Sequence, residues 1–258
     1  MKRLNKNKQL NKTRTWSLRA VAFVGLLVCM SLAFTSSKKT STMSLVNTTV
    51  VAVANSMVAE KMPLFDSLEL GALGLSRQAF EYALTGYNNL LNAGKIKKDN
   101  LLSILDFSLP SGKKRLFVID ITTGELVFNT YAAHGRNSGT SVATKFSNKE
   151  NSYQSSLGFY ITGDTYNGKH GTSLRLEGEE KGFNDNALAR GIVMHSASYV
   201  DESIIASQGY IGRSQGCPAL PGNIYKDVIE KIKNGSCLFL YSPDKYYVTH
   251  SKMLNDKA

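Results

Sequence analysis

Gly212-Arg213-Ser214-Gln215-Gly216-Cys217-Pro218-Ala219-Leu220-Pro221 sets a cysteine between a glycine and a proline. Gly216 frees the backbone on one side and Pro218 fixes φ on the other, so the thiol sits on a turn and is presented rather than packed. Upstream, Gly191-Ile192-Val193-Met194-His195-Ser196 reads as a short apolar strand ending in a histidine. A turn cysteine and a strand-end imidazole are the two parts of an activated thiol nucleophile. Taken alone, such a pair is more often a small buried cysteine and a satisfied polar histidine. The surrounding loop changes the balance. Glycines at 209, 212 and 216, with Arg213 and Ser214 between them, make it too polar and too free for core. Its amides, those of Gly216 and Cys217 first, are candidates to converge on an anion.

Other stretches extend the pattern: Gly74-Leu75-Ser76, Asp106-Phe107-Ser108, Lys114-Arg115-Leu116, His134-Gly135-Arg136-Asn137-Ser138-Gly139 and Ser155-Ser156-Leu157-Gly158-Phe159-Tyr160. Together with His195-Ser196 and the Cys217 loop, they resemble the L,D-transpeptidase (YkuD-like) family in its murein L,D-transpeptidase catalytic-domain branch, over roughly residues 64–243. The resemblance implies an α+β fold, a mainly β catalytic domain of the L,D-transpeptidase type with a small helical N-terminal segment. It implies Cys217 as nucleophile, His195 as base, and the backbone of Ser196 as the group that orients the imidazole. It further implies a substrate, the peptidoglycan stem tetrapeptide, cleaved after the L-centre of its third residue with loss of D-alanine. The acyl group would pass through a thioester to an amine of a neighbouring stem peptide. Water as acceptor would make an L,D-carboxypeptidase instead, and a fold that had lost the chemistry would be a peptidoglycan-binding protein.

Two departures bear on this. The wider family has a histidine directly before Gly-Cys where this chain has Gln215, and a polar residue two positions after the cysteine where it has Ala219. His195 is therefore the motif histidine available as base. A papain-type protease fits less well, because there the cysteine precedes the histidine.

Residues 1–19 hold seven Lys and Arg and no acid, and an apolar run from Ala20 to Phe34 follows. A basic segment before an apolar run shorter than the roughly 20 residues of a membrane span reads as an export signal. No small-x-small cleavage site follows, so residues 20–34 retained as a membrane anchor is the alternative. Either way the expected location is the periplasm or cell envelope of a bacterium. The formal net charge of +11 loses those seven charges with the leader and falls to +4. That is not the clustered basic balance of a nucleic-acid binder.

The expected organisation is an export signal or anchor over 1–36, a Ser/Thr/Val/Ala-rich linker over 37–62, a helical segment over 63–110, the catalytic domain over 111–248 and a tail over 249–258. Ser76 is a helix N-cap, with Ala79, Phe80, Ala83, Tyr87, Leu90 and Leu91 at helical spacing before Gly94. A hairpin is expected over 115–132 around Thr122-Thr123-Gly124-Glu125, with further strands over 158–162, 173–176, 191–195 and 237–241 and a helix over 223–233.

Substrate-binding candidates are Arg213 and Ser214 beside the thiol, Tyr199 after the His195 strand, and His134, Arg136 and Asn137 in a long glycine-containing loop. An arginine there is suited to a two-pronged grip on a carboxylate. His170, also beside a glycine, either orients substrate or faces water. Scattered histidines with no ligand spacing point to no metal, and the implied chemistry needs no cofactor. Cys237 lies in an apolar run and reads as core. A Cys217–Cys237 disulfide, natural in an exported protein, is the competing expectation and would remove the nucleophile.

Overall fold

The computed structural model describes residues 57–255. The expected export or anchor segment and most of the linker lie outside the described residues. In chain order the elements are α1 (Pro63–Ser67), α2 (Arg77–Asn92), β1 (Leu101–Asp106), β2 (Leu116–Asp120), β3 (Glu125–Thr130), β4 (Gly158–Gly168) and β5 (Gly171–Gly178). There follow β6 (Val193–Ser196), α3 (Glu202–Gln208), β7 (Ala219–Leu220), α4 (Tyr225–Ile232), β8 (Cys237–Tyr241), α5 (Lys245–His250) and α6 (Lys252–Asn255).

Helix α2 forms where its caps and stripe place it. Ser76, in extended backbone, accepts the Ala79 N–H on its hydroxyl at 3.0 Å, satisfying one of the orphan donors of the first turn. Ala79, Phe80, Ala83, Leu84, Tyr87 and Leu90 are buried along one face. At the far end Gly94 takes φ +67°. Its N–H then bonds Leu91 O and the Lys95 N–H bonds Leu90 O, the paired closure that a left-handed glycine permits. Gly86 is where the helix meets the sheet most closely: a Cβ there would lie 2.1 Å from the Phe159 ring. Phe159 is fully buried and stacked on Phe239 at 4.1 Å, so it has nowhere to retreat. Gly86→Ala is expected to cost about 1–3 kcal/mol through overpacking despite alanine's better helix propensity. A denaturant midpoint equal to or above that of the wild type would count against this packing.

The sheet runs β3-β2-β1-β8-β4-β5-β6-β7. β1–β8 and β6–β7 are parallel, and the other pairs are antiparallel. Strands β1, β2 and β8 are buried at every residue, which is why, apart from Ser103 and the strand-end Asp106 and Asp120, they are apolar on both faces rather than alternating. Just past β3, Ala133 N–H donates to Ala219 O in β7 at 2.8 Å. The two ends of the strand order thus meet, and the sheet is a nearly closed barrel with little open edge.

The sequence boundaries need two corrections. β1 falls inside the segment expected to be a helical appendage, yet it lies between β2 and β8, with Leu102 opposite Cys237 and Asp106 opposite Tyr241. The division at 110/111 therefore cuts a strand pair. The expected tail is helical as far as Asn255 and docked: Asn89 on α2 donates to Met253 O at 3.0 Å, and Ser251 donates to the Glu180 carboxylate. Cys217 and Cys237 are both free thiols, so the disulfide alternative is set aside. Cys237 is fully buried in β8, as expected for core.

Candidate active site

The register of β6 on β7 brings the two chemical residues together. His195 stands opposite Ala219 and its N–H donates to Pro218 O at 3.3 Å, so the strand that ends in the histidine lies beside the residues that follow Cys217. Both side chains line one cavity of about 620 Å³. His195 is only 5 % exposed. Its Nδ1 lies 2.7 Å from the carbonyl oxygen of Ser196. A carbonyl only accepts, so Nδ1 carries the proton and Nε2 keeps the lone pair of a base.

The Cys217 turn is fixed from within. Ser214 Oγ accepts the Gly216 N–H at 3.0 Å and donates to Cys217 O at 2.6 Å. This corrects the expectation for Gly216, whose amide serves the turn and is not free for a reacting oxygen. Its contribution is conformational: φ is +128°, and a Cβ would sit 2.8 Å from Gln154 O. Among the described residues the amides of Cys217 and of Gln215 have no acceptor. Those are the N–H groups left to meet an oxyanion.

The cationic side of the cavity holds Arg136, Lys169, Arg190 and Arg213 against Glu150. The Arg136 guanidinium lies 4.0 Å over the Tyr153 ring, and Arg213 Nη1 donates to Arg136 O and Gly139 O. Tyr199 lines the cavity and packs so tightly on Gly212 that a Cβ there would be 2.4 Å from its own. Burial, with Cys217 adding to it, pushes the Tyr199 phenol up to about 12.

Two expected substrate contacts lie elsewhere. Asn137 is outside the cavity lining; its side chain donates to Ser152 O at 2.8 Å and its carbonyl accepts from Gln154 at 3.3 Å, tying the long loop to itself. His134 is fully buried. Its Nδ1 accepts from Arg115 Nη2 at 2.7 Å and its Nε2 donates to Gly139 O at 3.2 Å. Burial and the Arg115 charge push it down to about 4. It is a neutral internal strut, and its carbonyl accepts the Ser214 N–H at 2.9 Å.

Arg190 is the residue sequence reasoning missed. It donates to Ser147 O, Ser156 Oγ, Gln154 O and Ser152 Oγ, stapling the 147–156 loop beside the thiol. The only local signal was a charge just before the β6 run. Its field lowers the Cys217 pKa, but burial, the larger influence, raises it overall. Burial also lowers His195, as does His170, against the opposing pull of the Ser196 carbonyl. Both shifts favour the uncharged forms, a thiol at Cys217 and a neutral imidazole at His195. Alkylation of Cys217 by iodoacetamide is expected to be slow at neutral pH and to accelerate only as pH passes the ordinary thiol range of about 8.5. A rate already at its plateau at pH 7 would show a preformed thiolate and reverse this assignment.

A barrel-like sheet thus carries a cysteine turn and a strand-end histidine on one cavity, and the comparison of sequences names the family to which such a domain belongs. The L,D-transpeptidase catalytic domain (YkuD_2) family matches residues 72–241, and the chain belongs to that family. The family is one of peptidoglycan cross-linking enzymes, typically extracytoplasmic. Among the described residues no helix is long and apolar enough to cross a membrane. The search of curated proteins found no match. Among solved structures, the chain is similar to an L,D-transpeptidase from Mycobacterium smegmatis at 15% identity, covering 55% of this chain and 59% of that one with a TM-score of 0.36. It is similar also to an L,D-transpeptidase from Stackebrandtia nassauensis at 15% identity, with coverage of 64% and 66% and a TM-score of 0.33. A third, from Xylanimonas cellulosilytica, shares 14% identity over 72% of this chain and 93% of that chain, with a TM-score of 0.30. This chain thus spans about 59% of the length of the Mycobacterium smegmatis protein.

Proposed function

We propose that this protein is a peptidoglycan L,D-transpeptidase that works through a Cys217 thioester outside the cytoplasm. The observation that carries the proposal is the shared cavity of Cys217 and His195, with His195 Nδ1 committed to the Ser196 carbonyl. Nε2 takes the proton from Cys217 Sγ as the sulfur attacks the carbonyl carbon of the third stem residue. The negative oxygen that forms meets the Cys217 amide, with the Gln215 amide beside it; one such donor is typically worth about 3 kcal/mol of barrier. The His195 imidazolium then returns its proton to the departing nitrogen of D-alanine, the C–N bond breaks and the thioester remains. An amine of a second stem peptide repeats the sequence against the thioester, releasing the thiol. Among the described residues Arg136, Lys169 and Arg213 form no ion pair with an acidic side chain, which suits a peptide rich in carboxylates.

The test is intact-mass spectrometry of the full-length protein with a stem tetrapeptide, with and without an acceptor amine, and separately with imipenem. The expected results are D-alanine release, a covalent adduct on Cys217 and a cross-linked product when the amine is present. Release without cross-linking even in excess amine would make the protein a carboxypeptidase. A free Cys217 thiol with neither adduct nor release would reduce it to a wall-binding protein.

A further inference from the structure

The cavity contains a second imidazole. His170 is exposed, yet its ring lies nearly flat on that of His195, with centroids 4.5 Å apart and planes inclined by 23°. It arrives from a different part of the sheet, the tip of the hairpin formed by β4 and β5. Gly168 and Gly171 are paired across that hairpin, leaving Lys169 and His170 as a two-residue turn.

The arm is built to hold its tip in place. A register shift between Thr162 and Thr165 bends it, as an inserted residue does in an antiparallel pair. Arg175 stiffens it by pairing with Asp164 at 2.7 Å and lying 4.7 Å over the Tyr166 ring. At the turn, Gly171 takes φ +79° and lies against Tyr225 of α4, whose hydroxyl would be 3.0 Å from a Cβ. The turn is also tied to the residue after the base, because Ser196 Oγ donates to His170 O at 3.2 Å.

Resting on the reading of His195 as base, we propose that His170 is a positioning residue for it, fixing the plane of the His195 ring from its open face. The Ser196 carbonyl holds one edge of that ring but leaves rotation about the Nδ1 contact; a flat ring laid against one face removes it. Two imidazoles at this distance also resist carrying two positive charges, so His170 favours the neutral, proton-accepting form of His195. The other charged or titratable groups around the cavity are Lys169 on the same turn, Tyr166 on β4, Tyr199 after β6, Arg190 before it, Arg213 and Cys217 on the thiol loop, and Arg136, Glu150 and Tyr153 across from them. The Gln215 side chain carries no charge, so the cavity's second imidazole is His170.

The experiment compares full-length wild type, His170→Ala and His170→Phe. Steady-state release of D-alanine from the stem tetrapeptide is measured alongside an NMR titration of the histidine Cε1–H signals. His170→Ala is expected to lower kcat by about tenfold with little change in KM, the scale of a misaligned reacting group. His170→Phe, which keeps a flat ring, is expected to recover most of that loss. In both variants the His195 pKa is expected to rise, because one cause that lowers it has gone. A purely structural turn residue would produce neither the phenylalanine rescue nor the His195 shift. Wild-type kcat in His170→Ala, or His170→Phe no better than His170→Ala, overturns the proposal. If wild type itself releases no D-alanine, the reading of function fails, while the NMR shift still decides whether the stacked pair exists.

Discussion

Cys217→Ala is expected to reduce D-alanine release to the background of the uncatalysed reaction and to abolish the imipenem adduct. Alanine keeps the turn, since Ser214 bonds the backbone of Gly216 and Cys217 rather than the sulfur. The folded protein should therefore melt within a few degrees of wild type, and the loss can be assigned to chemistry. His195→Ala is expected to fall between the two, losing about 10²–10⁴-fold in kcat, the ordinary scale of a general base. The thiol there can still react with imipenem, more slowly at neutral pH and less so as rising pH ionises it without help. Release by Cys217→Ala at more than a trace of the wild-type rate would end the thioester mechanism. A His195→Ala variant within a factor of a few of wild type would remove the histidine from it.

The second large effect is on stability. Arg115 is fully buried, and its guanidinium is spread over three partners. Nε and Nη2 donate to Ala132 O at 2.9 and 2.7 Å, Nη1 donates to Leu109 O at 3.0 Å, and Nη2 donates to His134 Nδ1. Its charge also opposes the burial that raises the Asp106 carboxyl, and its own pKa is pushed down to about 9 by burial. These contacts join the end of β1, the start of β2 and the segment beyond β3, the region that closes the sheet onto β7. Removing the side chain leaves two carbonyls and an imidazole nitrogen without a donor, beside a carboxylate without its compensating charge. Arg115→Ala is expected to cost about 3–5 kcal/mol, on the order of 10 °C in melting temperature for a domain of this size. Arg115→Lys should recover only part, because an ammonium cannot reproduce the forked geometry on Ala132 O. A melting temperature within about 2 °C of wild type would show that the cluster does not hold the barrel.

His134 explains why part of the site was misread from sequence. It stands beside a glycine in a long loop and reads as a substrate contact, whereas the fold turns it inward between Arg115 Nη2 and Gly139 O. His134 still reaches the chemistry, but through its carbonyl on Ser214 N–H, and a backbone contact leaves no mark on residue type. Arg190 was hidden for the opposite reason, and His170 was visible as a loop histidine without a place in the site. They come to the cavity from a run of turns and from a hairpin tip, 27 and 47 residues before the thiol, and no local pattern announces where a turn will land. The central place of β1 was equally invisible, since its parallel partner β8 lies beyond Tyr225–Ile232 and every other strand.

What the sequence determined by itself was local. The serine cap and apolar stripe made α2, two β-rich runs around Thr122-Thr123-Gly124-Glu125 made the β2–β3 hairpin, and Gly216 with Pro218 made the turn that presents Cys217. These depend on backbone freedom, side-chain spacing and neighbouring hydrogen bonds, all of which act within a few residues. Tertiary structure alone decided which amides of the Cys217 turn stay without an acceptor, which histidine is a strut and which one stacks on His195, and that the sheet closes at Ala133 and Ala219. Those outcomes depend on strand register, because moving a strand by one residue exchanges the face on which every one of its side chains lies.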